Sequence, residues 1–208
     1  MGATRQLGKV SATAMHDMLN VLAGIKETVG LMEDLLVRCK LDAATLQARF
    51  KTMAPAMLQQ VGKGVVLAES LNRLGHLVAD ADGPADAAAL ARLLVALTSR
   101  RARMRKVAVH VEELGAPCPA SDPQGLLCGL GAVLDACYAA LPPAAELRLA
   151  LSREGETGVA RLRCTPADAA ATLAGLDAAC AGLPSDVTVQ MDSGAGEWSL
   201  RFPCAQGK

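Results

Sequence analysis

The sequence predicts an α+β fold: an N-terminal antiparallel helical hairpin that forms a four-helix bundle with a second copy, followed by an α/β sandwich domain. Residues 11–78 carry apolar side chains at helical spacing in two long stretches. Turn-forming and acidic residues then cluster at positions 80–84. Beyond that cluster, helical stretches alternate with short strand-like runs. The chain is therefore predicted to divide into a hairpin at residues 1–80 and a second domain at residues 85–208.

The first predicted helix runs from Ser11 to Lys40. Its apolar residues recur at alternating gaps of three and four, the heptad pattern of a helix packed in a bundle. These seam positions are Met15, Met18, Leu22, Ile25, Val29, Met32 and Leu36. A short link follows, in which Asp42 is placed to cap the next helix.

The second predicted helix runs from about Ala43 to Val78 and is also apolar along one side. Pro55 lies inside it and is expected to kink it or interrupt it locally. Two antiparallel helices alone cannot bury both sides of such stripes. A homodimer that makes a four-helix bundle is therefore the simplest arrangement.

The second domain is predicted to pack several helices on one face of a mixed sheet. Gly155 is expected in a hairpin turn between two of its strands, and residues 192–196 in another. The predicted helices span residues 86–103, 122–141 and 166–182, and the strands span 106–112, 146–152, 158–164, 186–191 and 197–202.

Composition excludes several classes of protein. Lys+Arg and Asp+Glu balance at 21 each, so neither nucleic acid nor an anionic membrane is an expected partner. The seven cysteines lack paired spacing and predict reduced core thiols rather than a disulfide framework or a zinc site. No apolar signal segment and no membrane-length run is found, so a soluble, cytoplasmic protein is expected.

The most informative polar residues are His16, Asp17 and Asn20, which interrupt the apolar first helix. His16 and Asn20 are four residues apart and share one outward face. An exposed imidazole can act as a nucleophile through one ring nitrogen, while a carboxylate such as Asp17 accepts a hydrogen bond from the other. Asn20 is placed to position a water or an incoming phosphoryl group. The alternative is that these are ordinary solvated residues of a bundle helix.

The segment from His16 to Leu22, HDMLNVL, resembles the H-box of two-component sensor histidine kinases and their phosphotransferase relatives. In that family an acid follows the histidine, and Asn or Thr stands three residues after the acid. The resemblance implies that His16 is the phosphoacceptor, that Asp17 is its general base, and that Asn20 orients a water for dephosphorylating a partner. Val21 replaces the proline that usually follows the Asn.

The order of elements after residue 84 resembles the ATP-binding domain of the same kinases, but its nucleotide-binding parts are altered. The helix that carries the family's magnesium-binding Asn has Asp135 at that position, which alone is ambiguous because Asp also binds magnesium. The later strand ends in RCTP at residues 163–166, where the family has an Asp-x-Gly-x-Gly turn. No residues remain for a nucleotide lid and no Gly-rich turn can hold phosphates, so the domain resembles a degenerate ATPase domain.

The whole chain therefore resembles the histidine phosphotransferases built on a kinase-like dimer. The resemblance implies a phosphorelay protein that passes a phosphoryl group between receiver-domain aspartates through His16 without ATP. It implies no cofactor of its own, with Mg²⁺ held by the partner receiver domain. The implied partners are response-regulator receiver domains and a second copy of the chain, with a hybrid histidine kinase as a further candidate.

Two alternatives remain at this point. One is a scaffold that binds a receiver or a kinase without carrying phosphate. The other is an active kinase with a diverged nucleotide site that uses Asp135 for magnesium, which nucleotide-dependent thermal stabilisation would reveal.

Other residues are interpreted as structural. The basic run at residues 100–106 is interpreted as a solvated helix end, with a docking patch for an acidic receiver as the alternative. His76 and His110 are expected to be structural rather than catalytic. The residues expected in the core are Cys128, Cys137, Cys164 and Trp198.

Overall fold

The structure is a computed structural model that describes residues 2–38, 41–79, 83–165, 187–192 and 197–205. A helical hairpin precedes an α/β unit, which confirms the predicted α+β class. The elements are α1 (Gly2–Val37), α2 (Ala43–Ala79), β1 (Ala85–Asp86), α3 (Ala87–Met104), β2 (Ala108–Leu114), β3 (Pro119–Ala120), α4 (Pro123–Ala140), β4 (Glu146–Glu154), β5 (Thr157–Thr165), β6 (Thr188–Asp192) and β7 (Glu197–Pro203).

Helix α1 begins at Gly2 rather than at the predicted Ser11. The early turns are helical because Leu7 and Val10 pack into the same hydrophobic core as α3 and α4. This contact lies outside the heptad seam from which the helix was predicted, so the seam gave no sign of it. The base of the hairpin and the α/β unit therefore share one core.

Helix α2 runs without interruption across Pro55, so the predicted local interruption is wrong, while the alternative of a kink stays a prediction. A proline removes the hydrogen bond to the carbonyl four residues earlier, which here belongs to Lys51. Both residues are exposed, so water can replace the lost donor. The start of α2 agrees with its predicted cap: the Thr45 backbone N–H donates to Asp42 at 2.9 Å and the Thr45 hydroxyl at 2.7 Å. These hydrogen bonds lower the pKa of Asp42.

The α/β unit is built on a five-stranded mixed sheet in the order β2-β4-β5-β7-β6. Strands β2 and β4 are parallel and the other neighbours are antiparallel. Strands β1 and β3 pair as a short separate ribbon that the sequence did not predict. The predicted helix at 166–182 and residues 193–196 of the predicted turn lie outside the described residues, as do residues 80–82 of the turn-forming cluster at 80–84.

The side chains of strand β4 alternate between a buried face and an exposed face of the sheet. Leu147, Leu149 and Leu151 are buried, whereas the intervening Arg148 is exposed and pairs with carboxylates of its own face. Gly155 has the positive φ expected of its hairpin turn. The helices α3 and α4 are capped by Asp86 and Asp122. The residues that α3 and α4 contribute to the buried core include Leu94, Leu97, Leu130, Leu134 and Tyr138.

The expected core cysteines and tryptophan are confirmed. Cys128, Cys137 and Trp198 are buried, and Cys164 is half-buried. Burial raises the pKa of the Cys128 thiol to about 11, as suits a reduced core thiol. None of the cysteines that the structure describes forms a disulfide. Within the same residues, no helix is both long and apolar enough to cross a membrane.

We expect Leu149→Ala to destabilise the protein by about 2–5 kcal/mol, because Leu149 is fully buried on an interior strand of the sheet and its loss leaves a cavity. The matched control is Leu114→Ala at the exposed end of β2, for which a loss of about 0.5 kcal/mol is expected. Urea unfolding measures both. Equal losses in the two variants would contradict the assignment of the core to this face.

Candidate functional site

His16 lies on an exposed face of α1, and Asp17 lies on an adjacent, buried face. The His16 side chain is 67% exposed, whereas that of Asp17 is only 6% exposed. A helix turns by about 100° per residue, which places Asp17 on the buried face with Val10 and Ala14. His16 and Asn20 fall together on the outer face, as predicted.

Both donors that reach His16 lie at the same ring nitrogen. The amide nitrogen of Asn20 is 3.0 Å from Nδ1, and Nη1 of Arg100 is also 3.0 Å from Nδ1. The nearest carboxylate oxygen of Asp17 is 3.7 Å away, beyond hydrogen-bond distance. The structure thus brings the three predicted residues together and adds Arg100, while the roles of His16, Asp17 and Asn20 stay predictions.

Arg100 joins the hairpin to α3. Its Nη1 donates to Oδ1 of Asp17 at 2.5 Å, so the buried carboxylate has a charged partner from the other part of the chain. The adjacent Arg101 pairs with Asp135 of α4. The interpretation of the basic run as a solvated helix end is therefore wrong for these two arginines. It holds for Arg103 and Arg105, which are exposed.

A sequence signal for Arg100 and Arg101 was present. They lie three and four residues after Leu97, which is buried against the core. Residues at these spacings share a helix face, so both arginines continue the buried face of α3 rather than its solvated side. Their partners are distant in sequence: Asp17 is 83 residues from Arg100, and Asp135 is 34 residues from Arg101. No local sequence pattern predicts these two pairs.

Asp135 is held by two cations at the position that the resemblance aligned with a magnesium ligand. Nζ of Lys9 lies 2.6 Å from Oδ2, and Arg101 binds Oδ1. The carboxylate joins the start of α1 to α3 and α4, and a metal ion would have to displace both cations. No group of His, Cys, Asp or Glu suited to a metal ion is found in the part of the chain that the structure describes.

Two basic pockets lie on either side of Arg100. One, of about 490 Å³, lies between α1, α2 and α3 and is lined in part by Lys63 and Arg103. The other, of about 510 Å³, includes His16 and is lined in part by Lys9 and Arg105. Among the described residues that line either pocket, Asp17 is the one acid, and Arg100 neutralises it. Such a surface favours an anionic group or an acidic partner.

No protein-family model and no curated protein matches the chain. A solved bacterial phosphotransferase superposes with a TM-score of 0.46 and 11% identity over 94% of each chain. The Acinetobacter baumannii histidine kinase AdeS gives a TM-score of 0.42 and 13% identity, over 92% of this chain and 98% of its own. A histidine kinase from Burkholderia phymatum gives 0.40 and 14%, over 95% and 96%. These TM-scores and identities assign neither a family nor a function to the chain.

We expect Asp135→Asn to destabilise the protein by about 1–2 kcal/mol, because Lys9 and Arg101 keep their charges but lose the carboxylate between them. The matched control is Asp34→Asn, which breaks an exposed i,i+4 pair with Arg38 and should cost under about 0.5 kcal/mol. Denaturant unfolding measures both variants. The role of Asp135 as a link would be contradicted by a loss no larger than that of the control.

Proposed function

We propose that this protein is a histidine phosphotransferase of a two-component phosphorelay, in which His16 carries a phosphoryl group between receiver-domain aspartates without ATP. One observation carries the proposal: an exposed imidazole stands beside a buried carboxylate and an amide on a long hairpin helix, within a basic surface. An ordinary solvated histidine has no need of a buried Asp17 beside it.

The chemistry is an in-line transfer. A lone pair of the His16 ring attacks the phosphorus of an aspartyl phosphate, the N–P bond forms, and the P–O bond breaks. The aspartate of the receiver leaves as a carboxylate, and the ring proton passes to Asp17. The receiver's acidic pocket supplies Mg²⁺, so this chain needs no metal of its own. Asn20 is proposed to orient the phosphoryl group, or a water that removes it from a partner.

The ion pairs that Asp135 forms with Lys9 and Arg101 support a function without ATP. Its carboxylate already has two cationic partners that hold the hairpin against α4. The sequence after β5 also lacks the Gly-rich turn that would hold phosphates. The α/β unit is proposed to serve instead as a platform that fixes the surroundings of His16.

The charge of the site supports a receiver domain as partner. A receiver domain presents an acidic pocket around its phosphorylated aspartate, and most of the charged residues that line the two pockets beside Arg100 are cations. The donor in such a relay is the receiver domain of a hybrid histidine kinase. The acceptor is a response regulator.

The hairpin supports a homodimer. Along the α1 seam, Met15, Leu22, Val29 and Leu36 are seven residues apart and remain 48–62% exposed. The alternate seam positions, such as Met18 and Ile25, are half-buried. Within one chain, only the alternate seam positions are half-buried, and the others stay exposed to solvent. A second hairpin is proposed to cover the exposed seam residues.

We expect His16 to be labelled when the protein is mixed with a receiver domain that carries labelled aspartyl phosphate. The label should be acid-labile, absent from His16→Ala, and absent when ATP is the sole donor. His110→Ala is the matched control, because His110 is exposed on β2 and lines neither pocket beside Arg100, so it should leave labelling unchanged.

Two other results would contradict the proposal. Label from ATP alone would make the protein a kinase. No label from any receiver, with receiver binding retained in wild type and in His16→Ala, would make it a scaffold.

We expect Leu22→Glu to convert the dimer to a monomer, because it places a charge in the proposed interface. Leu31→Glu is the matched control: Leu22 and Leu31 are each 54% exposed, but Leu31 lies off the seam. Light scattering after size exclusion measures the mass of each. A wild-type mass of about 21 kDa, the mass of one chain, would contradict the dimer.

A further inference from the structure

We propose that Arg100 is a positioning residue that holds His16 in an unreactive tautomer, and that transfer requires its guanidinium to leave the ring. The effect on phosphotransfer rests on the proposed function. The structural claim concerns only which ring nitrogen of His16 carries the proton. It starts from the contact between Nη1 of Arg100 and Nδ1 of His16 at 3.0 Å.

The chemistry of arginine fixes the direction of this hydrogen bond. A guanidinium is always charged at neutral pH and donates only, so the atom that it contacts must accept. Nδ1 of His16 therefore carries a lone pair, and the proton of the neutral ring is on Nε2. The amide nitrogen of Asn20, also 3.0 Å from Nδ1, acts in the same direction.

This tautomer leaves neither nitrogen ready to attack. Nε2 carries a proton and has no lone pair in the plane of the ring. Nδ1 has the lone pair, but two donors cover it. In the described part of the chain, Nε2 makes no hydrogen bond, and the side chain is 67% exposed. The nitrogen that solvent can reach is thus the one without a lone pair.

Arg100 also occupies the position between the ring and its expected base. The same Nη1 that contacts Nδ1 donates to Asp17 at 2.5 Å, while Oδ1 of Asp17 is 3.7 Å from Nδ1. A guanidinium nitrogen has two protons, so it can satisfy both acceptors at once. When Arg100 withdraws, a shift of under about 1 Å brings the carboxylate to hydrogen-bond distance from Nδ1.

The proton then moves to Nδ1, where Asp17 accepts its hydrogen bond, and the lone pair is on the exposed Nε2. Arg100 belongs to α3, whereas His16 and Asp17 belong to α1, so the reactivity of the ring depends on the position of the second domain against the hairpin. A phosphoryl group brought by a partner is a competing acceptor for this guanidinium.

The first experiment measures the tautomer by two-bond ¹H–¹⁵N correlation NMR of the full-length protein at alkaline pH, where histidine rings are neutral. The His16 signals are those lost in His16→Ala. We expect the proton on Nε2 in the wild type and predominantly on Nδ1 in Arg100→Met. Arg92→Met on the same helix, which loses an ion pair with Glu113, should leave the tautomer unchanged.

A wild-type ring with its proton on Nδ1 would overturn the proposal, whether or not any variant folds. An unchanged tautomer in a folded Arg100→Met would overturn it equally. Asn20→Ala separates the two donors: its substitution should leave the proton on Nε2, because Arg100 remains. Loss of the Nε2–H tautomer in Asn20→Ala alone would assign the effect to the amide instead.

The second experiment measures reactivity with phosphoramidate, which requires no partner protein. The Nε2 lone pair forms the N–P bond, the P–N bond of phosphoramidate breaks and ammonia leaves, and the Nδ1 proton passes to Asp17. We expect Arg100→Met to be phosphorylated about tenfold faster than the wild type, the effect of losing one charge-assisted hydrogen bond. Arg92→Met should match the wild type.

A slower reaction, or an unchanged rate in spite of a changed tautomer, would contradict a restraining role for Arg100. Failure of the proposed function has a different signature. If the tautomer depends on Arg100 but no receiver domain exchanges phosphate with any variant, the positioning by Arg100 stands and the phosphorelay assignment falls.

Discussion

The pairing of Asp17 with Arg100 is the interaction on which the arrangement of the site depends. Asp17 is almost withdrawn from water, and an unpaired charge there would cost on the order of several kcal/mol. Its partner comes from α3, so the two parts of the chain must meet at this level of the hairpin. His16 precedes Asp17 on the same helix turn and is therefore brought to the same guanidinium. The position of Arg100 beside the His16 ring therefore follows from the need to neutralise Asp17.

Two adjacent arginines connect the C-terminal end of α3 to two other helices. Arg100 binds a carboxylate of α1 and the adjacent Arg101 binds Asp135 of α4, to which Lys9 adds a second contact from α1. Apolar packing by Val10 and Ala14 continues the same junction into the core. A hairpin attached by one exposed pair would move freely against the sheet. Here packing and buried charge act together, so a change in the position of α3 alters the charges beside His16.

Periodic features of the sequence predicted most of the fold, and features without a period were missed. The helical spacing of apolar residues predicted α1 and α2, and short strand-like runs predicted the strands β4, β5 and β7 within two residues at each end. The first turns of α1 and the ribbon of β1 and β3 depend on contacts distant in sequence, which no local pattern encodes. Of the site, the resemblance to the H-box grouped His16 with Asp17 and Asn20, but Arg100 entered only as one member of a basic run.

The two sides of α1 around His16 face different neighbours, which limits how a partner can approach. One side is buried against α2, α3 and α4, as Ala14 and Asp17 show. The opposite seam begins at Met15, directly beside His16, and in the proposed dimer a second hairpin covers it. The ring would then be reached only through the sector between these two surfaces, where the pocket lined by Lys9 and Arg105 opens. His16 lines that pocket together with Lys9 and Arg105, so an acidic partner of the proposed kind would meet cations beside the ring.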